Sequence, residues 1–334
     1  MTKPLAAGLA AALVLAGCDR AAPVNASSEP ARSPSPAPVA FSGPISTPGS
    51  FAPIIKQVSP AVVSIDTLAV GRPVNPWLGR EAVAPVRRGA GSGFIIAPEG
   101  YVVTNNHVVE NAQEVVVSLA DGRQFPARLV GRDPPSDLAV VKIDGGDLPF
   151  VSFARAALPE VGDWVVAVGN PFGLGGTATA GIVSGHGREI GEAYVSYLQI
   201  DAPINSGNSG GPSFDLQGRV VGVNTAIFSP TGGSVGIGFA IPADLAQTVT
   251  EQLIKSGRVT RGYIGVGVED LTPALAAELG VRGRRGAVIN GVTAGGLTRS
   301  IAATSPGGRL MLSVIRNGRP SEVSLQVARR PDGY

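Results

Sequence analysis

Ile204-Asn205-Ser206-Gly207-Asn208-Ser209-Gly210-Gly211-Pro212 sets a serine between glycines, after Tyr197-Leu-Gln-Ile-Asp-Ala-Pro203 and before the strand-like Arg219-Val-Val-Gly-Val-Asn224. Glycine has no Cβ, so such a turn can take positive φ and admit another chain close to its backbone. It can aim one hydroxyl outward and leave successive N–H groups unpaired. Acyl transfer needs those two parts: a nucleophile, and donors for the oxyanion of a tetrahedral intermediate. The same residues also suit an ordinary surface turn. The serine's partners decide between the two.

A serine hydroxyl is a poor nucleophile at neutral pH; it needs an adjacent base, normally histidine, and the histidine needs an orienting acid. Histidine occurs only at His107 and His186, and cysteine only at Cys18. A zinc site of Cys and His ligands cannot be assembled from these, and an internal disulfide is impossible. His107 lies in Thr104-Asn-Asn-His-Val-Val109, where the chain leaves a strand; His186 stands between two glycines and reads as a solvated loop residue. Alone, His107 would pass for a core histidine bonded to backbone, and Asp137, in Pro134-Pro-Ser-Asp-Leu-Ala-Val-Val-Lys142, for a strand cap. A carboxylate opening an apolar strand can nonetheless be partly buried and still accept an imidazole N–H. Taken together, His107, Asp137 and Ser209 follow the chain order of the chymotrypsin-type double barrel.

The chain around them agrees with a β-rich fold. Short apolar runs alternate with turn signals: Gly93-Phe-Ile-Ile96 and Tyr101-Val-Val-Thr104 around Pro98-Glu99-Gly100, Val115 to Leu129 around Asp121-Gly122, then Leu138-Ala-Val-Val141 and Trp164-Val-Val-Ala-Val168. This spacing suits barrels or sandwiches, with no strand–helix–strand alternation. Residues 51–58 predict a short helix and 242–255 a longer one closed by Ser256-Gly257, while 71–91 read as a polar loop. Net charge is +2 with no basic block, which argues against nucleic acid as a partner.

Thr104-Asn-Asn-His-Val-Val, Ser136-Asp-Leu-Ala-Val-Val and Gly207-Asn-Ser-Gly-Gly211 resemble the three signature blocks of the HtrA/Deg serine proteases. Gly169-Asn-Pro-Phe-Gly173, Gly181-Ile-Val-Ser184, Gln199-Ile-Asp-Ala202 and Gly236-Ile-Gly-Phe-Ala-Ile-Pro242 are similar to the text between them, so the resemblance runs over residues 51–295. It implies a mainly β, trypsin-like double barrel over 51–257, with His107 as general base, Asp137 holding its tautomer and Ser209 as nucleophile. It further implies an oxyanion hole from the N–H groups of Gly207 and Ser209, and a specificity pocket lined by Ile204 and Ile237 that favours small aliphatic residues. The glycine-rich loops 169–176 and 232–238 are then the expected movers. Unfolded or misfolded envelope proteins are the implied substrates and a homotrimer, packing near Phe51, the implied assembly. No metal or organic cofactor is implied. A protease-shaped chaperone or stress sensor that cleaves rarely is the competing reading.

Arg261-Gly-Tyr-Ile-Gly-Val266 resembles the carboxylate-binding loop and first groove strand of an HtrA-type PDZ domain, placing Tyr263, Ile264, Gly265 and Val266 at a groove. Leu271-Thr-Pro-Ala-Leu-Ala-Ala-Glu-Leu-Gly280 and Arg285-Gly-Ala-Val-Ile-Asn290 follow as that domain predicts, and the departure within 258–334 comes after them. Gly291-Val-Thr-Ala-Gly-Gly-Leu297 runs directly into Thr298-Arg-Ser-Ile-Ala-Ala-Thr304, the far wall of the groove, and a short helix and a strand usually reading Gly-Asp-Val-Ile are missing. A hairpin follows, with Leu310, Leu312 and Val314 alternating, Asn317-Gly318 turning, and Val323, Leu325 and Val327 returning. The expectation is a small, degenerate PDZ-like α+β module with weak or lost peptide binding.

At the other end, Met1-Thr2-Lys3 precedes an apolar run to Ala16, too short for a permanent span, and Leu15-Ala-Gly-Cys18 resembles a bacterial lipobox. Residues 1–17 therefore read as a lipoprotein signal peptide and Cys18 as the lipidation site, anchoring the protein in the periplasmic face of the envelope. Asp19 resembles a signal for retention at the inner membrane. Residues 18–50, with seven Pro and seven Ser after Cys18, read as a disordered tether.

Overall fold

The computed structural model describes residues 48–70, 86–154, 158–171, 176–192, 194–205, 207–263, 268–280, 287–289, 301–316 and 319–329. The signal segment, Cys18, Asp19 and the tether to residue 47 lie outside them, as do Ile264, Gly265, Val266 and the Asn317-Gly318 turn.

Twelve strands close into two six-stranded antiparallel barrels. The first holds β1 (Val62–Val70), β2 (Val86–Ile95), β3 (Tyr101–Asn105), β4 (Glu114–Ser118), β5 (Gln124–Asp133) and β6 (Leu138–Ile143), in the closed order β1-β2-β3-β6-β5-β4. The second holds β7 (Trp164–Gly169), β8 (Thr177–Arg188), β9 (Tyr197–Ile200), β10 (Pro212–Phe214), β11 (Val220–Ile227) and β12 (Gly238–Pro242), in the order β10-β11-β12-β9-β8-β7. The fold is thus mainly β and of the trypsin-like double-barrel kind. The polar loop expected over 71–91 is shorter than that: Val86–Gly91 belong to β2 and pair with β1, Val70 opposite Val86 and Ile65 opposite Gly91. Hydrogen bonding to an existing strand edge overrides the weak strand character of Arg87-Arg88-Gly89.

The continuous apolar runs have a single cause. Successive residues of a strand face opposite sides, and at the seam between the barrels both sides are dry. On β6, Leu138 and Val140 join the core shared by both barrels, while Ala139, Val141 and Ile143 fill the first barrel's interior. On β7, Val166 and Val168 face the shared core and Val165 and Ala167 the second barrel's interior. A strand facing water on one side keeps its alternation, as β5 does.

Two helices seal the shared core. α1 (Ala52–Val58) starts with Pro53 in its first turn and buries Val58, and the Phe51 ring before it packs against Trp164 at 5.4 Å between centroids. After a short helix, α2 (Asn106–Val109), comes α3 (Ala243–Ser256), which buries Ala246, Val249 and Leu253 at helical spacing. It ends where Gly257, at φ 71°, donates its N–H to the Leu253 carbonyl.

Beyond α3 the described residues include three two-stranded pairings. β13 (Gly262–Tyr263) pairs with β18 (Ala328–Arg329), and β14 (Val268–Asp270) with β15 (Ala287–Ile289), on either side of α4 (Pro273–Glu278). The terminal hairpin pairs β16 (Arg309–Arg316) with β17 (Arg319–Gln326), setting Leu310 opposite Leu325 and Leu312 opposite Val323. Only Ala276, Ile301 and Val327 supply buried apolar side chains among the described residues here.

Candidate active site

The site is assembled at the seam, where the end of β3 lies beside the start of β6. β3 runs out at Asn105 and turns at once into α2, which lifts the His107 side chain to 47% exposure. Pro134–Ser136 make one tight helical turn before β6, and Asp137 leaves it in the left-handed region at φ 53°, ψ 39°. Aspartate tolerates that conformation better than most side chains. The unusual backbone points its carboxylate back at α2.

There it meets a full set of donors. His107 Nδ1 lies 2.8 Å from Asp137 Oδ2, and the His107 backbone N–H donates to Oδ1 at 3.0 Å. Thr225, on β11 of the second barrel, donates its hydroxyl to Oδ2 at 3.0 Å. The Asp137 carbonyl accepts from Asn105 Nδ2 at 2.9 Å and from the Asn106 N–H at 3.0 Å, and Asn105 Nδ2 also donates to Thr225 Oγ1. The Asp137 side chain is only 14% exposed. An ionised carboxylate accepts and never donates, so the proton between the two residues sits on Nδ1, and Nε2 is left as an acceptor facing out. The hydrogen bond to Asp137 is the main reason the His107 pKa stands above its ordinary 6.5; burial opposes it, and the charges of Asp137, Glu110 and Glu192 add to it.

The serine turn comes from the second barrel. Asn208 N–H donates to the Asn205 carbonyl at 3.0 Å, Gly211 N–H to Asn208 at 3.0 Å, and Gly210 N–H to Asn224 on β11 at 2.8 Å. Gly207 has φ 97°, and a Cβ there would sit 2.4 Å from the Pro171 Cβ, so both conformation and space require glycine. Ser209 is half-buried. Among the described residues, the N–H groups of Gly207 and Ser209 donate to no acceptor. At Gly91 on β2 a Cβ would lie 2.7 Å from the Val108 methyls and 3.3 Å from the Ser209 carbonyl. The α2 turn carrying His107 and the turn carrying Ser209 thus close on the same bare stretch of strand.

Ile204 is buried in the second barrel's interior, and Ile237 is half-buried against the shared core. Gly238, the residue after Ile237, approaches Ile204, since a Cβ there would lie 3.2 Å from Ile204 Cγ1, but the two isoleucines pack into different cores. The neighbouring loop is tied to the serine turn, since Ser234 N–H donates to Asn205 Oδ1 at 3.0 Å. His186 lies apart from this cluster, exposed at the end of β8; it is a strand residue, not the loop residue expected. Tyr263 is in β13, and its three companions in the expected carboxylate loop fall outside the described residues.

Three residues of the site were not singled out from sequence: Ser92, Asn105 and Thr225. Each is a buried polar side chain within or ending an apolar strand. That is the one signal sequence offers for them, because a polar group buried at such a position must find a partner.

The closed double barrel, with the α2 turn and the glycine-bound serine turn both packed on β2, has the architecture of a trypsin-like peptidase. The trypsin-like peptidase domain model matches residues 91–223. The chain is 46% identical over 291 residues to the probable periplasmic serine endoprotease DegP-like of Brucella suis, an alignment covering 78% of this chain and 56% of that protein. The DegP-like protein of Rhizobium meliloti is also 46% identical, over 73% of this chain and 54% of its own length. The chain therefore spans a little over half the length of these curated relatives. The solved structure of the HtrA-type protease AlgW with a tripeptide superimposes with a TM-score of 0.72 at 39% identity, over 85% of this chain and 99% of that one. The chain belongs to the HtrA/Deg family of trypsin-like serine endopeptidases.

Proposed function

We propose that this chain hydrolyses peptide bonds of unfolded or misfolded cell-envelope proteins through an acyl-enzyme, with His107, Asp137 and Ser209 as its triad. The observation that carries the proposal is the Asp137 carboxylate with its three hydrogen bonds, two of them to His107, which orients the ring with Nε2 as the free acceptor. Nε2 takes the proton from Ser209 Oγ as the oxygen attacks the scissile carbonyl carbon. The carbonyl π electrons move to oxygen, and that oxyanion accepts from the Gly207 and Ser209 N–H groups. As the intermediate collapses, the C–N bond breaks and Nε2–H protonates the leaving amine. Water repeats the sequence on the ester, releasing the acid and restoring Ser209 Oγ–H.

An unfolded chain suits this site because its backbone is free to pair as an added strand. Ile204 and Ile237 favour a small aliphatic residue before the cut; cleavage only after Lys, Arg or Phe in a peptide library would reject that. The relatives' names support a periplasmic location. Anchoring through acylated Cys18 and a homotrimeric body belong to the same proposal. Loss of membrane association in Cys18→Ala and the mass of the purified body test those two parts. The C-terminal module binds peptides weakly or not at all, as the short helix and strand missing from its sequence suggest. A micromolar affinity for a hydrophobic C-terminal peptide would overturn that.

The deciding experiment is β-casein digestion by the protein beginning near Phe51, beside Ser209→Ala. Cleavage by the first alone is the expected result. Folded protein that cleaves in neither form would favour a chaperone-like or sensing role.

A further inference from the structure

Ser92 sits on β2 of the first barrel, fully buried, yet its contacts run to the second barrel. Its hydroxyl donates to the Gly207 carbonyl at 2.5 Å and accepts the Asn170 N–H at 2.8 Å. Its backbone N–H donates to the Ser209 carbonyl at 2.8 Å, and its own carbonyl accepts from the Thr104 hydroxyl at 2.7 Å. One residue therefore holds the carbonyls of both positions whose N–H groups face the proposed oxyanion.

We infer that Ser92 is the positioning residue of the oxyanion hole, pinning the peptide planes that directly follow those carrying the Gly207 and Ser209 N–H groups. The inference rests on the catalytic reading above. Consecutive peptide planes share a Cα, so a carbonyl pinned on one side limits how the neighbouring planes rotate. The constraint matters most at Gly207, whose lack of a Cβ would otherwise let the adjoining planes turn over. A hydroxyl is suited to the task because it donates and accepts at once. In donating to Gly207 and accepting from Asn170, Ser92 ties the serine turn to the segment after β7. That segment is already close: a Cβ on Gly169 would lie 2.3 Å from Asn208 Oδ1, and Asn170 Oδ1 accepts the Gly176 N–H at 3.0 Å. Ser92 touches neither substrate nor nucleophile side chain, so it acts through the backbone it holds.

The test compares Ser92→Ala and Ser92→Cys with the wild-type chain and Ser209→Ala, each checked for fold by circular dichroism. Ser92→Ala is expected to lower kcat by about 10²-fold, the scale of losing one oxyanion donor, with KM changed less than about twofold. Affinity for a peptide boronate, whose tetrahedral adduct on Ser209 uses the same N–H groups, should fall by the same factor. Affinity for an uncleaved peptide, compared between Ser209→Ala and Ser92→Ala/Ser209→Ala, should stay level. Ser92→Cys keeps a single γ atom, slightly larger and a weaker donor, and should fall between, so it decides the matter if the alanine variant does not fold. A folded variant with wild-type kcat, or boronate and peptide affinities that fall together, overturns the assignment. Wild-type protein that fails to cleave overturns the catalytic reading and this one with it.

Discussion

Arg261, the residue at which the chain leaves the second barrel's helix for the C-terminal module, is the most exacting place to test the energetics. Its Nη1 and Nη2 bond Asp133 Oδ1 and Oδ2 at 2.7 and 2.5 Å, and its guanidinium stacks on Tyr194 at 4.5 Å. The side chains are 10% and 6% exposed, so this is a buried, bidentate pair, with the Ser136 hydroxyl as a further donor to Asp133. Asp133→Ala removes the anion and strands the cation. Breaking one side of a buried pair costs about 3–5 kcal/mol, whereas exchanging both sides for apolar groups of similar volume is close to neutral. At about 2–4 °C per kcal/mol for a body of this size, Asp133→Ala should lower Tm by roughly 6–20 °C. Asp133→Ala/Arg261→Met should recover most of that. Asp133 also ends the strand before the turn that carries Asp137, so kcat should drop in the single variant even where it remains folded. Thermal and urea unfolding followed by circular dichroism measure the stability arm. A loss below about 1 kcal/mol, the range of exposed pairs, would refute the reasoning, as would a double variant no better than the single one.

Four further outcomes follow from the site. His107 must be neutral to act as base and its pKa is raised, so kcat should fall as pH drops through a midpoint above 6.5; a pH–rate profile with its acid limb below 6 would contradict this. The sign for stability is opposite: the His107–Asp137 pair contributes most below the unfolded-state value and loses that contribution as pH rises through the raised one. Asp137→Asn should lower kcat by about 10⁴-fold by releasing the tautomer, and it should carry the residual acid limb to lower pH, as single-turnover kinetics would reveal. Thr225→Val removes one hydrogen bond to the carboxylate, worth about 1.5 kcal/mol, and should reduce kcat roughly tenfold. Gly207→Ala forces a Cβ against Pro171 and should cost about 10²–10³ in kcat at preserved fold.

The barrels and the His107–Asp137 contact were legible because they follow from short-range regularities. Alternation, paired turn residues such as Asp121-Gly122, and three blocks in a recognised order each mark their own positions. What sequence could not convey depends on which faces meet. Leu138-Ala-Val-Val141 reads as one apolar run, and only the second barrel's presence separates Val140 from Val141 into different cores. Thr225 reads as one more β-branched residue on β11 until β11 is laid against Asp137. Ser92, between Gly91 and Gly93, reads as turn chemistry, because its partners lie 78 and 115 residues away. Val86–Gly91 read as loop because their strand character comes from β1's free edge, not from their side chains.

The shared core has a consequence for when the molecule becomes dangerous to its neighbours. His107 and Asp137 belong to the barrel synthesised first, whereas Ser209 and Thr225 arrive with the second. A nascent first barrel would leave Phe94, Val103, Leu138 and Val140 without the second-barrel side chains, such as Val166, Val168 and Phe214, that complete their core. On the proposed triad, hydrolytic competence is therefore a property of the docked pair and of neither barrel alone. On that reading a chain emerging from synthesis cannot cut itself or its surroundings until both barrels have closed on each other.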